Sequence, residues 1–132
     1  MSRCTLAPRH IGWPATPVRE PLAAVAILDA MLELRPSCEQ CAHELPPDSV
    51  EAMICSYECT FCRSCVDEVL SNVCPNCGGG FERRPVRPAH EWRRHATVHH
   101  DPPTTKHTEQ PVDPDTQREL IARVAHTPPH ER

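Results

Sequence analysis

The sequence predicts a small metal-stabilised α+β module with two zinc sites, one β-hairpin and one short helix, set between disordered flanks. Three observations predict it. Eight of the nine cysteines lie between Cys38 and Cys77, in the order Cys38-x2-Cys41, Cys55-x3-Cys59, Cys62-x2-Cys65 and Cys74-x2-Cys77. A two-residue spacer lets two thiolates of one tight turn face a single ion, and the partner pair comes from a distant turn. Eight such sulfurs make two sites and imply two Zn2+ per chain. Next, 16 prolines, 4 glycines and 4% aromatic residues in 132 leave too little apolar material to fill a core of that length. Metal binding must then supply much of the folding free energy, so the metal-free chain is expected to be largely unfolded. Finally, the only sustained apolar period inside the cysteine-rich stretch is Val66, Val69, Leu70 and Val73, the i, i+3, i+4, i+7 pattern of one helix face.

Taken in order, residues 1–20 carry Pro8, Pro14 and Pro17 without an apolar period and read as disordered, with Cys4 a free thiol, and residues 1–30 together read as a disordered or mis-annotated extension. Pro21 to Leu34 is apolar enough for a short helix. An alternative is that Met31 is the initiator and the preceding residues are upstream sequence. Leu22 to Leu28 is too short to span a membrane. It lacks a basic stretch before it and runs into Asp29, so it is a poor secretory signal. Paired cysteines without such a signal read as metal ligands in the reducing cytoplasm. Cys38 and Cys41 form a knuckle, and Pro46-Pro47-Asp48 stops regular structure. Val50 to Phe61 then reads as a hairpin turning at Ser56-Tyr57-Glu58. The helix follows from Cys65, with Ser64 as its cap and Asp67 and Glu68 in its first turn. Cys74-Pro-Asn-Cys77 is the second knuckle, Gly78-Gly-Gly80 releases the chain, and Phe81 folds back on the core. The module is expected to span residues 31–85. Residues 86–132 read as a disordered Pro/Arg/His-rich tail, in which Gln117 to Ala125 forms at most one helix with too few apolar residues to fold alone.

Spacing alone leaves the pairing open between sequential sites, with Cys38, Cys41, Cys55 and Cys59 preceding Cys62, Cys65, Cys74 and Cys77, and interleaved ones. The run Cys-Thr-Phe-Cys-Arg-Ser-Cys at 59–65, then a helix and Cys74-Pro-Asn-Cys77, resembles the second half of a RING-type, treble-clef-like cross-brace, with Cys59 where a histidine is usual. That resemblance implies Cys38, Cys41, Cys62 and Cys65 at one zinc and Cys55, Cys59, Cys74 and Cys77 at the other. Met31-Leu-Glu-Leu-Arg-Pro-Ser-Cys-Glu-Gln-Cys41 together with Cys74-Pro-Asn-Cys-Gly-Gly79 resembles the short cysteine-rich bacterial proteins grouped as domain of unknown function 1272. Those proteins begin at the equivalent of Met31. The RING likeness extends poorly to ubiquitin transfer: Gln40 stands where ligases use an apolar residue, Gly78 where an arginine is frequent, and only Pro75 matches.

Charge narrows the function classes. From Cys38 to Glu82 eight acidic residues face Arg63 alone, and each zinc with four thiolates adds two more negative charges. Nucleic-acid affinity rests on phosphate contacts, which this surface repels. Arg83 to Arg94 holds five arginines, for which folding back on the acidic module is a ready use. With eight cysteines committed as ligands no coordination position is left for a catalytic water, His43 beside Glu44 is a surface residue, and no phosphate loop or nucleophile motif is present. The chain is therefore expected to be a monomeric, non-catalytic protein-interaction module without membrane contact, using Glu39, Gln40, Pro75 and Asn76 at the knuckles. Its alternatives are iron–sulfur or rubredoxin-like electron transfer, suggested by Cys59-x2-Cys62-x2-Cys65 and Cys74-Pro75, and RING-type ligase activity.

Overall fold

Ala52–Ile54 (β1) and Thr60–Cys62 (β2) pair antiparallel, with Ala52 opposite Cys62, Met53 opposite Phe61 and Ile54 opposite Thr60. The computed structural model that shows this describes residues 31–132, so the readings for residues 1–30, Cys4 and most of the Pro21–Leu34 helix among them, lie outside the described residues. The turn between the strands is closed by Cys55 N–H to Cys59 O at 3.2 Å and Glu58 N–H to Cys55 O at 3.0 Å. Glu82–Arg83 (β3) joins the free edge of β1, giving a three-stranded antiparallel sheet in the order β2-β1-β3. All of β2 is buried, and its outer edge is closed by the first knuckle, whose Glu39 N–H bonds Thr60 O at 3.0 Å.

That helix, Arg63–Glu68 (α1), is shorter than its apolar period suggested and starts earlier. Cys62 occupies the cap position, without a side-chain cap, and Ser64 is an exposed residue inside the first turn. Asp67 and Glu68 accordingly fall in its second half. The cause is local: Cys62 and Cys65 converge on one site, so the helix begins directly where β2 ends. Beyond Glu68 the chain reverses through Ser71 (φ 49°) and Asn72 (φ 57°). Val66, Leu70 and Val73 are buried, whereas Val69 stays 38% exposed. Val66 enters the core from α1, and Leu70 and Val73 reach it around the reversal and not through a continuous helix stripe.

The core is centred on Phe61 and Phe81, packed edge to face with ring centres 5.4 Å apart. Phe81 thus folds back as expected. Of the twelve residues in this cluster six are cysteines, so half of the core consists of residues that are candidate metal ligands. Burial of apolar side chains and closure of the sulfur groups are one event here.

Arg84 directly follows β3, and its guanidinium is buried without a carboxylate. It donates to the backbone oxygens of Arg35 (2.8 Å), Pro46 (2.9 Å) and Leu45 (3.3 Å). Burial pulls its pKa below the usual arginine value. The residue clamps both ends of the first knuckle to the sheet, since its own N–H also reaches Ala52 O at 2.9 Å. The basic stretch folds back, but onto carbonyl groups: Arg87 likewise reaches Asp101 O and Leu32 O.

Residues 86–132 depart most from expectation. Instead of leaving the module at residue 85, the described chain from Met31 to Arg132 forms one compact unit. Thr104 N–H bonds Leu34 O at 3.2 Å, His107 meets Ser37, and Gln110 N–H bonds Glu39 O at 2.8 Å, laying the segment along residues 34–40. Pro114–Val124 then forms a second helix (α2), capped by Asp113, whose carboxylate accepts from Thr116 N–H at 2.9 Å. Those Thr116 contacts hold the Asp113 carboxyl below its ordinary pKa. Gln117, buried on the face shared with half-buried Leu120, Ile121 and Val124, donates to Val73 O at 3.0 Å. The tail has too little apolar surface for a core of its own, and it is held largely by carbonyl oxygens of the module, those of Leu34, Glu39 and Val73 among them.

Candidate metal centres

Both knuckles are built alike. Cys38 N–H bonds His43 O and Ala42 N–H bonds Cys38 O; in the same way Cys74 N–H bonds Gly79 O and Gly78 N–H bonds Cys74 O, all at 2.8–2.9 Å. The fourth residue after each first cysteine takes a left-handed backbone, Ala42 at φ 61° and Gly78 at φ 76°. This double turn places Cys41 and Cys77 at equivalent positions on the exposed rim.

Cys38, Cys41, Cys62 and Cys65 come together with all four sulfurs within 4.8 Å of one another. Cys41 Sγ and Cys62 Sγ are 3.8 Å apart. Four sulfurs around an ion at a Zn–S distance of about 2.3 Å stand roughly 3.8 Å apart at the corners of a tetrahedron, so this donor set fits a tetrahedral metal. The second group joins Cys55, Cys59 and Cys74 under the same distance limit. Cys77 stands outside that limit, exposed, with its sulfur accepting from Gly79 N–H at 3.4 Å. The first knuckle therefore pairs with the cysteines at the end of β2, and the second with the hairpin turn. This is the interleaved, cross-brace arrangement; in it Cys59 is separated from Cys62 and Cys65, so the Cys59-x2-Cys62-x2-Cys65 run does not converge on one point. His43 lies beside the first group without joining it.

Electrostatics favour a cation at both groups. Burial pushes the Cys65 thiol far above its ordinary pKa, with Cys62 and Cys38 adding to the rise. Burial likewise raises Cys74, reinforced by Cys59 and Cys55 and opposed by the Asn76 and Cys77 N–H groups. At Cys41 burial is outweighed by the His43 N–H and by the Cys38, Cys65 and Cys62 thiols, which hold its pKa below the usual value. Several thiolates cannot share such a space unless positive charge arrives with them. Further donors aim at the sulfurs from outside: Tyr57 N–H at Cys55 (3.3 Å) and the Asn76 amide at Cys59 (3.3 Å). Asn76, expected as a contact for a partner, thus ties the second knuckle to the hairpin turn.

Glu39 also differs from its expected role. Its carboxylate is buried, accepts from Thr60 N–H and pairs with Arg35 at 2.9 Å, while its backbone N–H bonds Thr60 O. It locks the first knuckle to β2. Gln40 lies beside Glu68, Val69 and Ser71, where its side-chain oxygen accepts from Val112 N–H at 2.7 Å. Pro75 lines a separate crevice on the other side of Val112, with Glu39, Phe61 and Asn76. Arg84 and Gln117 escape a reading of the sequence because nothing in a run of arginines singles out the buried one. Gln117 had a faint signal, since it completes the i, i+3, i+4, i+7 set with Leu120, Ile121 and Val124.

A protein of Rhizobium meliloti (strain 1021), described as uncharacterized, is 63% identical over 59 residues, covering 45% of this chain and 70% of the relative. The family model described as protein of unknown function (DUF1272) matches residues 31–87. The chain belongs to the DUF1272 family. The DUF1272 match begins at Met31, spans all eight clustered cysteines and includes Arg84 and Arg87. It stops before α2, so the cover over the knuckle groove lies outside the DUF1272 match. No solved structure matches the chain. Among the described residues no helix is long and apolar enough to cross a membrane.

Proposed function

We propose that this DUF1272 chain binds two Zn2+ ions in the cytoplasm and that the resulting rigid, RING-like module is a non-catalytic protein-interaction unit. Cys38, Cys41, Cys62 and Cys65 hold one ion. Cys55, Cys59 and Cys74 hold the other with Cys77, whose place in its knuckle matches that of Cys41. The observation that carries the reading is the first sulfur group, an all-cysteine set with the edge length a tetrahedral zinc requires. Four thiolates per ion saturate it and leave no position for a reacting water, and the acidic module disfavours nucleic acid. What such a unit offers is shape: two knuckles and the groove between them.

Metal analysis and native mass spectrometry of protein purified without added metal test the first half. Two zinc ions per chain and a colourless protein are expected; a single ion, or iron with visible absorption, overturns the zinc assignment. The interaction half is tested by capture from the native cell extract with wild type and a Gln40→Arg, Pro75→Ala variant. Loss of a captured protein with the variant supports a knuckle-mediated contact, and equal capture by both removes it.

A further inference from the structure

The groove between the knuckles is already filled by the chain itself. Gln110 N–H bonds Glu39 O at 2.8 Å, Val112 N–H bonds Gln40 Oε1 at 2.7 Å, and the Gln117 amide reaches Val73 O at 3.0 Å and Leu70 O at 3.5 Å. Val112 packs on the core from outside, and α2 faces Glu68, Val69 and Ser71 at the end of α1 across an open crevice. We infer that this groove is a recognition site for an extended segment leading into a short amphipathic helix, and that residues 110–124 are its resident, displaceable ligand. The inference rests on the interaction reading above and specifies its site and the chemistry of its partner.

Three features mark the segment as a ligand and not as part of the core. Its hold is mainly polar, through backbone N–H groups and one amide, so water can replace each contact when the segment leaves. The helix has 11 residues, too few to persist alone in water, and its apolar face at Leu120, Ile121 and Val124 is only half-buried even when docked. The fit is also incomplete: an open crevice of about 280 Å³ remains between Glu39, Phe61, Pro75 and Asn76 on the module side and Val112, Thr116 and Leu120 on the tail side. An incoming segment with the same hydrogen-bond pattern and a bulkier apolar residue there gains contacts that the resident lacks. The chemistry required of that partner is explicit. It presents two backbone N–H groups two residues apart to Glu39 O and the Gln40 side chain, and a helical amide side chain to the Val73 and Leu70 carbonyls.

The resident is tethered, and a short tether gives it an effective concentration of order mM, so it suppresses binding in trans. Weakening the resident must therefore raise the affinity for an added copy of the segment by the same factor. The probe is a fluorescent peptide of residues 108–126, titrated into metal-replete full-length wild type and into full-length Gln117→Ala. Both proteins are checked for equal metal content. Losing the amide contacts is expected to tighten peptide binding about tenfold, with amide-exchange protection lost at 110–124 and kept at 52–62. A second variant, Gly80→Val, loosens the chain just beyond α2, because a Cβ at Gly80 lies 2.8 Å from the Pro129 ring. Equal peptide affinity for wild type and both variants, or no binding to a variant whose tail protection is lost, overturns the inference. A variant that instead forms a dimer by exchanging its tail assigns the groove to a second copy and overturns the displaceable cover. The peptide experiment needs no foreign partner, so it can fail while capture from extract succeeds, and the reverse.

Discussion

Each buried sulfur answers to a neighbour from a distant part of the chain, and that makes single substitutions informative. In the Cys55→Ser variant the site shared with Cys59 and Cys74 loses its metal while the first site keeps its own. Metal content should fall by half, with amide protection lost at the Cys74 knuckle and kept around Cys62 and Cys65; release of Cys62 and Cys65 instead would contradict the interleaved pairing. The pH dependence follows from the same residues. Burial lifts the Cys65 and Cys74 thiols above their ordinary range, so the metal-free fold favours their protonated forms and weakens as pH rises through that range. A bound divalent ion reverses the sign because it requires thiolates, and uptake expels protons. Metal affinity should accordingly rise with pH and fall on acidification, read with a chromophoric competitor; an affinity independent of pH would argue against thiolate ligation. Arg84 is the other decisive residue. Arg84→Ala strands the carbonyls of Arg35, Leu45 and Pro46 and should cost roughly 3 kcal/mol in denaturant unfolding of the metal-replete protein. Arg84→Lys should recover only part of that, since one ammonium does not reproduce the spread of the guanidinium donors. Unchanged midpoints would remove the clamp.

Among the elements, the two knuckles share one hydrogen-bond pattern but differ at the left-handed position. Ala42 pays for its Cβ at φ 61°, whereas Gly78 at φ 76° does not. Ala42→Gly should therefore stabilise the metal-replete protein and Gly78→Ala destabilise it, each by about 1 kcal/mol. Nothing lies within 4 Å of a Cβ built at Gly78, so the second change reports backbone strain free of any clash. Resistance to a zinc chelator measures both; equal resistance in wild type and the two variants would show that the knuckles tolerate either residue. The helices illustrate a different dependence. α1 is cut short at Glu68 by the reversal at Ser71 and Asn72, which turns Leu70 and Val73 inward; Leu70 O accepts from Val73 N–H at 2.9 Å, and Val73 O is left to the Gln117 amide. Gln117 of α2 answers the Val73 carbonyl, so the premature end of one helix provides a seat for the other.

Across the described residues, the clustered cysteines and the apolar core are interleaved within residues 31–87, and the tail is laid over them. A fragment of residues 31–87 contains every clustered cysteine, both core phenylalanines, Arg84 and Arg87. It should take up the same number of metal ions as the full chain while losing amide protection around Leu70 to Val73, where α2 docks. Failure of the fragment to bind metal would make the tail part of the folding unit. The sequence by itself determined the chemistry: cysteine spacing, scarce apolar residues and the 59–62 hairpin arm specify a small α+β unit organised by two sulfur groups, because short-range spacing dictates which side chains a tight turn can present together. It also supplied the interleaved pairing, though by resemblance, since spacing permits sequential sites equally well. Only the tertiary structure decided which glutamate is buried, which arginine is a clamp and where the tail goes. Glu39 and Arg84 have no local pattern and Gln117 only a faint helical one, and their roles come from carbonyl and amide groups brought close from distant parts of the chain. Backbone hydrogen bonding carries no side-chain signature, so a proline- and histidine-rich tail that looks unable to fold finds its order on the open oxygens of the module it follows.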